Sequence, residues 1–242
     1  MQSEHIVELH GSVTLVGIPE FDEHPLRMRV VVSHPGEGTL WTSLAYSTLQ
    51  YDASPIPYEL QLDTRTFEAD ETLDLEAILY AGPADRTGAP GAEKARVRLP
   101  LTIGHDIPRI EQDITLEGDA KLAPSSLSIK GFKRIGGTAT LPQIEDLKGH
   151  RLTAILFEVH LNDDMKKVYV RIADNSYQVR GLVSPFSLHF DETVLKSEGT
   201  SYVLSFSVQA PDGDYVAIRT LRDVVPAELG DDMAVELRSF LD

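Results

Sequence analysis

Pro57-Tyr58-Glu59-Leu60-Gln61-Leu62-Asp63 recurs as Pro185-Phe186-Ser187-Leu188-His189-Phe190-Asp191, 128 positions further along the chain. In both copies every second residue is apolar (Tyr58, Leu60, Leu62; Phe186, Leu188, Phe190), the period of a strand with one buried face. The repeat extends outward from this stretch. Residues 11–15 (GSVTL) return as 137–141 (GTATL), and 26–34 (LRMRVVVSH) as 152–160 (LTAILFEVH), both at an offset of 126. Leu73, Leu75, Ala77 and Leu79 match Tyr202, Leu204, Phe206 and Val208 at 129. Small loop insertions account for the drift. A one-residue slip would turn each apolar set to solvent, so the matched registers imply matched strands. The period is far longer than the ~20–50 residues of a solenoid unit. It predicts two whole domains, 1–120 and 126–242, joined through the small and polar stretch 118–126 (GDAKLAPSS).

Turn chemistry separates the runs. His34-Pro35-Gly36-Glu37-Gly38, Ala81-Gly82-Pro83, Gly88-Ala89-Pro90-Gly91 and Pro211-Asp212-Gly213-Asp214 supply residues that accept positive φ or fix it. Short strands at this spacing, with almost no helical period, predict an all-β fold. The expected architecture is two tandem antiparallel β-sandwiches of about seven strands each. The tail reads differently. Met233, Leu237, Phe240 and Leu241 stand at i, i+4, i+7 and i+8 behind Asp231 and Asp232. That pattern predicts a short C-terminal amphipathic helix over 231–241, docked on the second sandwich.

The chain has 242 residues, 42% hydrophobic and 25% charged, long enough for two cores and too apolar for wholesale disorder. Its net charge of −16 argues against nucleic acid, whose phosphates need a basic footprint, and against an anionic membrane surface. No stretch reaches the ~18 apolar residues of a membrane span. The apolar run from Val13 to Ile18 is too short for an export signal. The sequence as it stands therefore reads as cytoplasmic, or as periplasmic or outer-membrane-associated where a leader has been removed. With no cysteine there is no disulfide, thiolate nucleophile, thiolate metal site or lipidated cysteine in this sequence.

Candidate chemistry is sparse. The eight histidines (5, 10, 24, 34, 105, 150, 160, 189) form neither a His-x-His nor a His-Glu-x-x-His spacing. His34 and His160 occupy equivalent strand ends, where a structural hydrogen bond is expected. The acidic clusters Asp70-Glu71, Asn162-Asp163-Asp164 and Asp212-Gly213-Asp214 lack calcium-loop spacing and read as turns. Asp63 and Asp191 close equivalent strands, where an aspartate bonds nearby backbone N–H groups. No nucleophile elbow, P-loop or dinucleotide fingerprint is present, 131–137 (GFKRIGG) included. Trp41 lies near Tyr46 and Tyr51, a grouping that a carbohydrate platform could use, but sandwich cores bury such rings routinely and Trp41 has no counterpart in the second copy.

The first copy resembles the YbaY-type lipoprotein family, which shares a domain with YscW-type chaperones (pilotins) of type III secretion. The residues that carry the likeness are Gly11-Ser12-Val13-Thr14, the alternating strand 26–32, and above all Pro55-Ile56-Pro57-Tyr58-Glu59-Leu60-Gln61-Leu62-Asp63. The strands 73–79 and 97–103 follow the same pattern, and the second copy repeats it more loosely over 136–225. The resemblance implies small sandwiches without catalytic residues, and a cell-envelope or secretion setting. The typical member is a single domain held by a lipidated cysteine, whereas this chain carries two copies and no cysteine.

The combined expectation is a non-enzymatic module that binds another protein or acts as a chaperone. It has no cofactor, metal or catalytic residue, and its mode of binding is strand addition at a sheet edge or docking in a groove. The alternative is a carbohydrate- or surface-binding sandwich. The register itself is testable: Leu60→Ala should cost ~2–5 kcal/mol, through lost transfer energy and the cavity left behind. Chemical denaturation measures this, and a loss near zero would place Leu60 on the surface.

Overall fold

The computed structural model describes residues 5–17, 26–37, 43–50, 54–82, 91–104, 106–118, 132–161, 164–195 and 200–240. The first half supplies β1 (Ile6–Val16), β2 (Leu26–Ser33), β3 (Ala45–Gln50), β4 (Ile56–Asp63), β5 (Thr72–Ala81), β6 (Ala92–Thr102), β7 (Arg109–Glu111) and β8 (Ile114–Glu117). The second supplies β9 (Phe132–Thr140), β10 (Arg151–Leu161), β11 (Lys167–Gln178), β12 (Val183–Asp191), β13 (Ser201–Gln209), β14 (Tyr215–Val224), β15 (Met233–Glu236) and β16 (Arg238–Ser239). The fold is all-β.

One pairing scheme is used twice. β1 lies between β4 and the short strands β7 and β8; β9 lies likewise between β12 and β15. β2 lies between β3 and β5 with β6 outside, as β10 lies between β11 and β13 with β14 outside. Gly11 faces Tyr58 in the first copy and Gly137 faces Phe186 in the second, the equivalence read from the sequence. In each half a small sheet packs on a larger one, and the alternating apolar residues meet between them. Leu60, Leu62, Leu188 and Phe190 are fully buried, and so are Leu73, Ala77, Leu204, Phe206 and Val208. Leu141 and Leu152 are buried as well, while their counterparts Leu15 and Leu26 are half-buried.

The halves are fused. β3 and β11, the inner edges of the two larger sheets, pair antiparallel from Ala45↔Tyr177 to Leu49↔Ala173. The result is one nine-stranded sheet in the order β16-β14-β13-β10-β11-β3-β2-β5-β6. A single apolar cluster runs through both halves. The ladder hides residues that an isolated edge strand would expose. Ser47, Thr48, Asp174, Asn175 and Ser176 are all buried along it.

Two features depart from the sequence reading. The sandwiches are not purely antiparallel, because β7 and β8 run parallel to β1 and β15 runs parallel to β9. The expected C-terminal helix over 231–241 is absent from the described residues, which form β15 and β16 there. Met233, Val235 and Leu237 also fit a period of two, and Val235 and Leu237 are buried in that register. The outer edge of β9 decides between the periods, since a helix would leave that edge without backbone partners. Leu237 N donates to Thr140 O, extending the ladder. Phe240 stays exposed, and Leu241 lies outside the described residues.

The repeated glycine has a repeated cause. A Cβ at Gly11 would sit 1.9 Å from the Gln112 carbonyl oxygen, and one at Gly137 would sit 2.0 Å from that of Met233. The link between β7 and β8 passes over Gly11 and β15 passes over Gly137, where φ is +153° as well. Gly137→Ala should therefore expel β15 and cost ~2 kcal/mol or more, as strain at a tight backbone approach does. Hydrogen exchange checks it: the Leu237 amide should lose protection in the variant, while amides of β2 and β5 keep theirs.

Candidate functional site

The small sheets meet edge to edge. β4 and β12 run side by side at the joint without a backbone ladder between them, and side chains close the gap. Register sets up one row across it: His10 lies opposite Glu59, and His189 lies opposite Arg134. Glu59, 3% exposed, is the centre of this row. Its carboxylate lies 3.2 Å from His189 Nε2 and accepts from Arg134 Nε and Nη2 at 3.1 Å each. His10 Nδ1 stands 3.8 Å away. Asn175 Nδ2, from the large sheet, donates to the Glu59 backbone carbonyl at 3.2 Å. One residue thus ties β4 to β9, β11 and β12.

Burial alone would raise the Glu59 pKa. The hydrogen bonds and charges of His189 and Arg134 outweigh it and hold the carboxyl well below the usual carboxylate range. Further along the seam, Asp63 Oδ2 accepts from Arg180 N at 3.0 Å, a second tie between the halves. Beside this seam lies a cleft of about 200 Å³ that draws on both halves, with Glu8 and Gln61 on one side and Arg134, Phe186, Asp231 and Asp232 on the other.

A second charged layer covers the outer face of the nine-stranded sheet. Arg29 is flanked by the rings of Tyr46 and Tyr80 at 5.6 and 5.4 Å, and Arg151 reaches the same Tyr46 ring at 5.8 Å. Such desolvated cation–π contacts contribute roughly 1–2 kcal/mol each. Asp174, fully buried, takes Arg171 Nη1 at 2.5 Å. Burial depresses the pKa of Arg27, against the attraction of Asp174. It also depresses that of Arg151. Neither this layer nor the Glu59 row is visible in sequence spacing. The only available signal was Glu59 and His189 standing on the outward-facing positions of the repeated strand.

The residues singled out from sequence are mostly structural. Asp63 and Asp191 each cap a 3-10 turn, accepting from Arg65 N at 3.1 Å and Thr193 N at 2.9 Å. His34 Nδ1 lies 2.7 Å from Glu71 Oε1. His160 Nδ1 stands 3.4 Å from Glu158 Oε1 without a formed hydrogen bond. Asp212-Gly213-Asp214 forms the β13–β14 turn, with Asp214 N donating to Asp212 Oδ1. Asp70 adopts a positive φ of 62° in its turn. Trp41, Tyr51, Asn162 and Asp163 lie outside the described residues. Tyr46 is buried beneath arginines and offers no open ring to a sugar. Among the described residues no three His, Asp or Glu side chains are placed to share a metal ion. No helix of the described residues is long and apolar enough to cross a membrane.

Glu59→Gln tests the seam. At neutral pH it should cost about 3 kcal/mol, the low end for a broken buried pair, because Arg134 is one-third exposed and rehydrates. The acid limb carries the sign. Because the folded pKa is depressed, the Glu59 contribution is complete above the unfolded value near ~4.3 and is lost as pH falls through the folded one. Between roughly pH 5 and 3 the parent should lose stability more steeply than the variant. Parallel pH–stability curves would show that Glu59 is not coupled to the fold.

No family model matches the chain, and no curated protein matches it. Among solved structures it is similar to a candidate adhesin from Bacteroides ovatus, at 11% identity over 95% of this chain and 92% of that one, with a TM-score of 0.23. It is also similar to a fimbrial assembly protein from Parabacteroides distasonis, at 10% identity over 92% and 85%, with a TM-score of 0.26. A third is the major pilin of Streptococcus pyogenes, at 9% identity over 96% and 97%, with a TM-score of 0.19. Likenesses this remote carry no argument about function.

Proposed function

We propose that the protein is a non-enzymatic binding scaffold that takes up an extended segment of another protein at the β6 edge of its large sheet. The observation that carries this reading is an asymmetry between the copies. β14 has its outer side covered by β16, through Ala217↔Ser239 and Ile218↔Arg238. Its counterpart β6, eleven residues from Ala92 to Thr102, ends the sheet with no strand hydrogen-bonded to its outer side among the described residues. A bare edge presents a row of main-chain donors and acceptors, the template for strand addition. Rigidity supports the same role. An edge held in a nine-stranded sheet is already ordered, which lowers the entropy cost of association.

Side chains on β6 set what would fit. Ala95, Val97 and Leu99 pack against the core, while Arg96 and Arg98 point to the outer face and pair with Glu76, Glu93 and Asp74. An added strand would alternate apolar residues, extending the core layer, with polar or acidic ones beside the arginines. The resemblance of 55–63 to YbaY- and YscW-type domains supports a protein-binding or chaperone role in the cell envelope or secretion.

A peptide selected from a random display library against the full chain tests this. Its binding should slow hydrogen exchange at alternate backbone amides between Glu93 and Leu101. Protection confined to other elements, with β6 amides unchanged, would overturn the reading.

A further inference from the structure

We infer that the cleft between the small sheets is a binding site for a lysine or arginine side chain presented by a peptide. Its walls hold three carboxylates, Glu8, Asp231 and Asp232, against the single guanidinium of Arg134. Arg134 is already spoken for, by Glu59 and by Asp231 Oδ1 at 3.0 Å. Glu8 reaches only His10, at 3.3 Å, and Asp232 is exposed and engages no partner among the described residues. The local charge balance favours an added cation.

The independent observation is Gln61. It lines the cleft, is 1% exposed, and its Oε1 accepts no hydrogen bond. An orphaned buried acceptor costs about 1–3 kcal/mol, and a donor placed in the cleft would recover that. The repeat explains the missing partner. At the 128-residue offset Gln61 corresponds to His189, and Ser187 corresponds to Glu59. The first pairing, Glu59 with His189, is a filled ionic contact. Its mirror image would pair Ser187 with Gln61. Both side chains are buried there with Ser187 Oγ and Gln61 Oε1 unpaired.

Shape agrees with the ligand class. At about 200 Å³ the cleft is smaller than the ~300–1,000 Å³ of small-molecule sites and suits one long side chain. Pro185, Phe186 and Met233 offer apolar wall to a methylene stem, while Gln61 and the carboxylates meet its charged end. This site lies on the small sheets, away from β6, and does not depend on strand addition.

The test uses the full chain, isotope-labelled, with NMR of the Gln61 side-chain amide and the Gly137 and Thr138 backbone amides. Nα-acetyl-lysine N-methylamide and its arginine analogue should give saturable shifts at these groups, weakening as salt rises. The norleucine derivative, which keeps the four-carbon stem and lacks the ammonium, should give none. The Glu8→Gln/Asp232→Asn double variant, with an unchanged melting temperature, should bind the lysine derivative about tenfold more weakly. Equal shifts from norleucine, or no saturable shift up to roughly 10 mM lysine derivative, would overturn the site. n-Butylamine binding as tightly as the lysine derivative would overturn its assignment to a peptide-borne side chain. The salt and norleucine comparisons decide the matter even if the double variant fails to fold.

Discussion

The pairing of β3 with β11 is the constraint on which the rest of the molecule depends. Each strand is the inner edge of its own layer, four strands on the β3 side and five on the β11 side, and an edge exposes unpaired N–H and C=O groups. Joining them removes two edges at once and turns two layers into one nine-stranded sheet. It also fixes the distance between the small sheets, so β4 and β12 are brought alongside with no freedom to form a ladder of their own. The seam of Glu59, His189 and Arg134, the Asp63–Arg180 tie and the cleft are consequences of that placement.

Fusing two edges buries what edges normally keep wet. Asp174 and Ser176 reach zero exposure, and Asn175 and Thr48 come close to it. Each buried polar group demands a partner, since leaving one unmet costs a kilocalorie or more. The molecule answers with Arg171 on Asp174, Arg29 Nε on Thr48 Oγ1 at 2.8 Å, and Asn175 on the Glu59 carbonyl. Arginine suits this setting because its guanidinium is weakly hydrated and stacks on rings, as Arg29 and Arg151 do around Tyr46. The joint is therefore held by directional contacts at its centre and by apolar packing on either side.

Symmetry and its breaking divide the labour. The backbone scheme is repeated nearly element for element, down to the capped 3-10 turns after β4 and β12. Side chains differ where the copies meet. Glu59 and His189 form an ionic contact at one position of the seam, whereas at the equivalent one Ser187 Oγ and Gln61 Oε1 are buried and unpaired. At the rim, β16 pairs with β14, while among the described residues no strand pairs with the outer side of β6. The two frames are alike in backbone, and they differ at the seam and at the rim of the large sheet.

The repeated strand, Pro57 to Asp63 and its second copy, made the all-β class legible without coordinates. A period of two over matched registers allows few other outcomes. The capping roles of Asp63 and Asp191 were legible too, because an aspartate at a strand end bonds backbone two residues on. Local pattern ran out at residues 231–241, where helical and extended periods fit the same side chains and only the open edge of β9 chose between them. It also ran out at β3 and β11. Their polar residues look like those of any solvent-facing edge, and that each edge is the other's partner follows from bringing the two halves together. The Glu59 row and the cleft are decided there as well, since Glu59 lies 75 residues from Arg134 and meets it and His189 only across that joint.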